Sequence, residues 1–400
     1  MTILVADKLS QTGLDRMQAA GCTVISEPTL NGDALVSALG AHNPDVLIVR
    51  STKVPDPALA AAADLQLVVR AGAGYDNIDV AGASGRGIFV ANCPGKNAVA
   101  VAELTMGLIV SVDRRIPDNV ADARNGVWAK ATYSKADGLK GRTLALIGLG
   151  NIGKAVARRA KAFGMNVAAW SRSLTPEKAG KLGIRHCASV LEAVDGADIV
   201  SLHVAATPDT ASLADRAFFE TMKEGATFVN TTRSSVVVED ALFWALENRG
   251  IKAALDVFAE EPAAKEGAFE SRMAQHPSVY ITHHIGASTA QAQEAIAEEA
   301  VRVVMTYAES GEVVNCVNLA QASDATHQLT VRHLDRVGVL AAVLDEMRRA
   351  ECNVQEMENL LFSGGESACA YIRFQGGLDD AVLERIRQHP DILATSVVTL

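Results

Sequence analysis

From its first residues the chain alternates short aliphatic and β-branched runs with alanine-rich stretches of helical spacing. The segments "ILVA", "DVLIVR", "LQLVV" and "GIFVA" are continuous apolar runs bounded by polar residues, the form taken by strands buried on both faces. Strands separated by helical segments predict a parallel sheet with helices packed on it. After "CPGKN" the pattern turns helical from about Ala98 to Val112, and again from about Ile116 to Asn125. A second alternating run begins at "RTLALIGLG" and continues through "NVAAW", "ADIVSL", "ATFVNT" and "IKAALDV". From Thr289 to about Ser310 the spacing is helical once more, long enough to carry the chain back to its first domain.

A polar stretch, "AQASDATHQ", follows and is expected to be a linker. From about Gln328 the order changes to strand, helix, strand, strand, helix, strand, through "LTVRHL", "VGVLAAVLDEMRRA", "NVQEMENLLF", "SACAYIRF", "LDDAVLERIRQ" and "ATSVVTL". The expected fold class is therefore α/β, with two doubly wound parallel-sheet domains followed by a small α+β unit of βαββαβ order.

Composition adds limits. A chain of 400 residues exceeds one core, so two or three domains are expected, and 49% hydrophobic residues suffice to fill them. A formal charge of -10 argues against a general binder of nucleic acid or anionic membrane, yet leaves room for an anionic small ligand held by a local basic cluster. "MTILVADKLS" has neither the basic start nor the apolar run of a signal peptide, and the best apolar stretch, "NAVAVAELTMGLIVSV", carries Glu103 and is too short to span a bilayer. Six scattered cysteines without CxxC spacing imply reduced thiols, a cytoplasmic location and no metal site.

Candidate chemistry starts at the end of "TLALIGLG". Gly148, Gly150 and Gly153, with Asn151 and Ile152 between them, form GxGxxG between a strand and a helix. Small residues there permit a tight turn, and the helix N-terminus can receive a dinucleotide pyrophosphate. The acid that usually binds the ribose 2′-hydroxyl is missing: its place is held by Ser171, followed by Arg172. Loss of the carboxylate removes repulsion against a 2′-phosphate, and a guanidinium could bind one. The cofactor is expected to be NAD or NADP, with Arg172 leaning toward NADP.

The stretches "NTTRSSVVVEDAL", "AALDVFAEEP" and "THHIGAST" follow the glycine turn in order, and "IVRSTKV", "VVRAGAGYDNID", "CPGKNAVAVAELTMG" and "NGVW" precede it. Together they resemble the D-isomer-specific 2-hydroxyacid dehydrogenases over essentially the whole chain. That resemblance implies Rossmann-like or flavodoxin-like domains: a discontinuous substrate domain of residues 1–98 and 287–320, with a dinucleotide domain of residues 99–286 inserted in it. It places the catalytic roles on Arg233, Glu261 and His284, the register of "HIGAST" selecting His284 over His283. The chemistry suits these residue types. An imidazole can take the hydroxyl proton as hydride leaves C2, a carboxylate can hold the ring, and a guanidinium can grip the substrate carboxylate with two hydrogen bonds.

The resemblance further implies cofactor contacts from His203, Pro208, Thr231, Thr232, Gly286 and Asp256, the last toward the nicotinamide amide. Ala71, Gly72 and Gly74 correspond to a turn whose amides bind carboxylate, and Asn97 to the domain hinge. Arg50 and Lys53, with Arg70, are the expected contacts to a substrate phosphate, and Ser51 is a further expected substrate contact. "TTRSS" departs from the family by placing Ser234 and Ser235 where glycines are usual, which bears on substrate choice.

"VRHLDRVGVLAAVLDEMRRAECNV" resembles the opening of an ACT domain, an amino-acid-binding regulatory fold, giving a linker at 321–327 and a regulatory domain at 328–400. His333, Asp335, Gly338 and Asn353 match effector positions for L-serine, although Val337 stands where proline is usual. The expected activity is hydride transfer to and from C2 of a D-2-hydroxy acid, most simply a phosphorylated one. An unphosphorylated 2-ketoacid reductase, and a non-catalytic sensor of dinucleotide and amino acid, are the alternatives. The protein is expected to be a homodimer or homotetramer.

Overall fold

The computed structural model describes residues 1–262, 267–320 and 322–400. It forms two compact units, Met1–Asn318 and Leu319–Leu400. The first holds two parallel sheets. Strands β1 (Thr2–Val5), β2 (Thr23–Ser26), β3 (Val46–Val49), β4 (Leu67–Arg70) and β5 (Phe89–Asn92) pair in the order β2-β1-β3-β4-β5. Strands β6 (Thr143–Ile147), β7 (Asn166–Trp170), β8 (Arg185–His186), β9 (Ile199–Leu202), β10 (Thr227–Asn230), β11 (Lys252–Leu255) and β12 (Val279–Ile281) pair in the order β12-β11-β10-β9-β6-β7-β8. The order reverses beside β6, which puts the glycine turn at a switch point where the ends of strands leave a crevice.

The apolar runs read as strands are interior to their sheets except β5, which forms an edge, and β3 and β9 are buried along their whole length. Helix Ala98–Arg114 starts from the loop after β5 and buries Ala102, Met106, Ile109 and Val112 against the second sheet. Helix Ala290–Ser310 returns to the first sheet, where Ile296, Ala300, Val301, Val303 and Val304 pack with Ile3, Val5, Val46 and Ile48. Among the described residues no helix is long and apolar enough to cross a membrane.

In the second unit β13 (His327–Leu334), β14 (Asn353–Leu361), β15 (Ser367–Gln375) and β16 (Ile392–Thr399) form an antiparallel sheet in the order β14-β15-β13-β16. Helices Val339–Arg349 and Asp380–Arg387 cover its core of Leu329, Val331, Ala370, Ile372 and Phe374. The expected βαββαβ order is observed. Of the expected linker 321–327, Gln321 lies outside the described residues, and His327 already belongs to β13.

Candidate functional site

A cleft of about 1070 Å³ in the first unit gathers residues from the ends of both parallel sheets. Its floor on one side is the loop after β3, and a single buried carboxylate shapes it. Asp7 accepts the backbone amides of Arg50, Ser51 and Thr52 at 2.7, 3.0 and 2.9 Å, and the Ser51 hydroxyl at 3.0 Å. Burial pushes that carboxyl up, but these donors outweigh it and hold it below the usual carboxylate range. Arg50 and Ser51 thereby face the cleft. Lys53, one residue beyond the bracket and expected to meet a substrate phosphate, is exposed and does not line the cleft.

Arg70 ends β4 and enters the cleft with its Nε buried and without a partner among the described residues. Burial first, and then the like charges of Arg233 and Arg50, push its pKa down to about 10. At Gly72, with φ 152°, a Cβ would lie 1.5 Å from Arg70 Nη1 and would displace the guanidinium from this position. The expected anion turn is only partly free. Ala71 N continues the sheet ladder to Val49 O at 2.7 Å and Gly72 N donates to Arg70 O at 2.8 Å, whereas the Gly74 amide makes no such bond among the described residues.

Arg233 follows β10, in a turn built by Asn230. The Asn230 amide donates to Arg233 O at 3.0 Å, while its Oδ1 accepts the Thr232 N–H at 2.9 Å and hydroxyl at 2.7 Å. Thr231 meets Thr105 hydroxyl to hydroxyl at 3.3 Å, tying the same turn to the Ala98–Arg114 helix. The guanidinium is gripped along one edge by Asp76, with Nε and Nη2 both within 3.1 Å of its oxygens. Its Nη1 donates to Thr232 O.

His284 sits at φ 50°, left-handed for a residue with a side chain, in the turn after β12. Asp256, at the end of β11 and 1% exposed, holds that turn. It accepts the Thr282 hydroxyl at 2.6 Å and the amides of Ile285 and Gly286 at 2.9 Å each. Asp256, expected to meet the nicotinamide amide, lines the cleft and at the same time holds the turn that carries the histidine. His284 Nδ1 lies 2.7 Å from Glu261 Oε2, while Glu261 Oε1 accepts the Phe258 amide at 2.9 Å. Burial raises the Glu261 carboxyl, and the His284 hydrogen bond, the Phe258 amide and the charges of His284 and Arg233 together bring it below its ordinary range. An ionised carboxylate only accepts, so Nδ1 carries the proton and Nε2 is left toward the cleft.

The opposite wall fits a dinucleotide. A Cβ on Gly148 would lie 2.5 Å from His203 O, and one on Gly153 would lie 2.2 Å from Gly148 O, so both are needed for the turn itself. Gly150 faces open space and lines the cleft with Asn151 and Ile152, at the start of helix Asn151–Ala162. His203 is pushed down to about 3 by burial, hence neutral, with Nε2 3.0 Å from Ser201 Oγ and Nδ1 unpartnered among the described residues. Asn97, Thr231, Thr232 and Gly286 also line the cleft, and Asn97 Oδ1 is buried without a partner among the described residues. Pro208 is exposed and off the wall, its place taken by Val204 to Thr207. Ser171 and Arg172 lie outside this cleft; Arg172, 70% exposed, has Nη1 3.6 Å from Asp209 Oδ2.

Three residues that hold the site were not singled out from the sequence: Asp7, Asp76 and Asn230. Each follows or ends a strand or turn as a polar residue, a signal too common to separate them. In the second unit, His333 is 1% exposed and bonded to Leu334 O and Asn359 Oδ1. Asp335 and Gly338 lie exposed beyond the end of the same strand. Asn353 is not with them: it pairs with Gln375 at one end of β15, whereas His333 pairs with Ala368 near the other, about 23 Å apart at strand rise.

Residues 106–286 match the family model for the D-isomer specific 2-hydroxyacid dehydrogenase, NAD binding domain. The D-3-phosphoglycerate dehydrogenase of Methanocaldococcus jannaschii is 37% identical over 324 residues, 80% of this chain and 60% of that protein. The chain thus spans about three-fifths of that relative's length. Among solved structures, the TT0316 protein of Thermus thermophilus is similar with TM-score 0.70 and 33% identity, over 79% of this chain and 100% of that one. An NADPH-dependent glyoxylate/hydroxypyruvate reductase of Sinorhizobium meliloti is similar with TM-score 0.66 and 26% identity, over 79% and 96%. The chain belongs to the D-isomer-specific 2-hydroxyacid dehydrogenase family.

Proposed function

We propose that the chain catalyses hydride transfer between a nicotinamide cofactor, NAD or NADP, and C2 of D-3-phosphoglycerate, interconverting it with 3-phosphohydroxypyruvate, the first step of L-serine biosynthesis. The observation that supports this best is the convergence of Arg50, Arg70 and Arg233 on the cleft that holds the His284–Glu261 pair. A half-buried Arg70 beside two like charges suits a substrate with two anionic ends, a carboxylate and a phosphate.

Gly150, Asn151 and Ile152 would hold the dinucleotide, which would supply the acceptor or donor of the C2 hydride. In the oxidation His284 Nε2 takes the C2 hydroxyl proton, and in the reduction the protonated ring gives it to the carbonyl oxygen. Glu261 fixes the ring and offsets its positive charge. Arg233, steadied by Asp76, binds the carboxylate with the edge of its guanidinium that Asp76 leaves, and polarises the carbonyl. Reduction of 3-phosphohydroxypyruvate, with hydroxypyruvate as control, tests the assignment: a large preference for the phosphorylated acid supports it. Equal rates would instead support a hydroxypyruvate or glyoxylate reductase, the reading favoured by Lys53 lying outside the cleft.

The same reading makes residues 1–98 with 287–320 the substrate domain, residues 99–286 the cofactor domain and 328–400 an ACT-like regulatory domain. L-Serine is its proposed ligand, at His333, Asp335 and Gly338. The separation of Asn353 along the sheet suits a site completed between two copies of a homodimer or homotetramer.

A further inference from the structure

Behind the glycine turn lies a second cavity, of about 310 Å³, lined by Leu149, Lys154, Ser171, Ser173, Lys178 and Lys181 among others. Three lysines and two serines line it, and no acidic residue among the described residues does. Leu149 stands inside the GxGxxG sequence, Lys154 follows Gly153 in the first turn of helix Asn151–Ala162, and Ser171 follows β7. The cavity therefore begins where the ribose 2′-oxygen of a dinucleotide on this turn comes to lie. Lys178, on helix Pro176–Leu182, donates to Ser173 O at 3.1 Å, which parks its ammonium at the rim. The nearest acid on that helix, Glu177, is taken up by Lys181 at 2.6 Å. Lys154 and Lys178 have no ion-pair partner among the described residues. Arg172, the residue expected from sequence to favour a phosphate, is turned to Asp209 and does not line the cavity.

We propose that this cavity receives the 2′-phosphate of NADP(H), with Lys154 and Lys178 as its specificity-determining residues and the Ser171 and Ser173 hydroxyls as further donors. The proposal rests on the reading of the chain as a nicotinamide-dependent enzyme. Where other dinucleotide sites place a carboxylate for a 2′-hydroxyl, this one offers only donors, and two unpaired ammonium groups in a partly enclosed space stabilise a dianion.

The test is titration calorimetry of the full chain with adenosine 2′,5′-bisphosphate and with 5′-AMP, which differ only in the 2′-phosphate. The bisphosphate is expected to bind at least about tenfold more tightly, with a gap that narrows as salt is added. In Lys154→Ala/Lys178→Ala the ratio of the two dissociation constants should fall toward one, and Ser171→Asp should reverse the preference. Equal affinities in the unaltered chain, or a ratio that survives the double substitution, overturn the proposal. If the affinities are equal while NADH still supports ketoacid reduction, only the phosphate cavity is lost. If neither nucleotide binds and neither cofactor is turned over, the enzymatic reading falls with it.

Discussion

Asp76 and Arg233, separated by 157 positions in the chain, meet along one edge of the guanidinium, with Nη2 3.0 Å and Nε 3.1 Å from the carboxylate oxygens. The contact joins the loop after β4 to the turn after β10. A guanidinium has two edges suited to a carboxylate, and Asp76 takes one, which sets the direction of the other. Asp76→Ala should therefore leave the fold intact and lower kcat/KM for the ketoacid about tenfold to a hundredfold, because a misdirected guanidinium grips poorly. Steady-state kinetics check this, and an unchanged kcat/KM would reduce the pair to a surface contact.

The His284–Glu261 pair makes a sharper demand. His284→Gln should lower kcat at least about a hundredfold while cofactor binding persists. Glu261→Gln should lower kcat less and move the pH profile, because the ring loses the carboxylate that steadies its charged form. The measurement is kcat across pH with both variants, and a profile unmoved by Glu261→Gln argues against coupling of the two groups.

Asp256 supports the histidine at one remove. Replacing it by Ala strands the Ile285 and Gly286 amides and the Thr282 hydroxyl, at a cost of about 2–4 kcal/mol. The expected result is a lower urea midpoint together with a large loss of kcat. Retained stability with normal activity would mean that the left-handed His284 turn stands without it.

Acid stability has its own marker. Glu299 is brought down to about 2 by its hydrogen bond to Arg302 first, against burial, with help from Asn315 and Lys96. Its folded value lies below the ordinary value of 4.5, so its contribution is fully present above that value and fades as pH falls toward 2. Glu299→Gln should lower the urea midpoint at pH 7, and the difference from the unaltered protein should shrink below the ordinary value and vanish only as pH falls through about 2. Parallel curves over that window would exclude the linkage.

Much of this architecture was legible because parallel strands buried on both faces are continuous apolar runs. The strands that escaped notice lie toward sheet edges: Thr23–Ser26 mixes polar with apolar residues, Arg185–His186 is a two-residue pairing, and Val279–Ile281 merges into the polar turn that follows. At the site, ordered motifs located Arg233, Glu261 and His284, and the structure brings all three to one cleft. The residues that aim them were not legible. Asp7 acts on amides more than 40 positions away and Asp256 on amides about 30 away, and such distances exist only after the sheets have formed. Lys53 and Pro208 show the converse, since matching a motif does not turn a side chain into a cleft.

The return of helix Ala290–Ser310 to the first sheet bears on how the protein is made. During synthesis β1, β3 and β4 leave the ribosome long before Ile296, Ala300 and Val304 exist to cover their apolar face. The second sheet has all its strands by Ile281 and can close earlier. A nascent chain thus carries an unfinished N-terminal sheet past a maturing neighbour, and chaperone demand should concentrate in that interval.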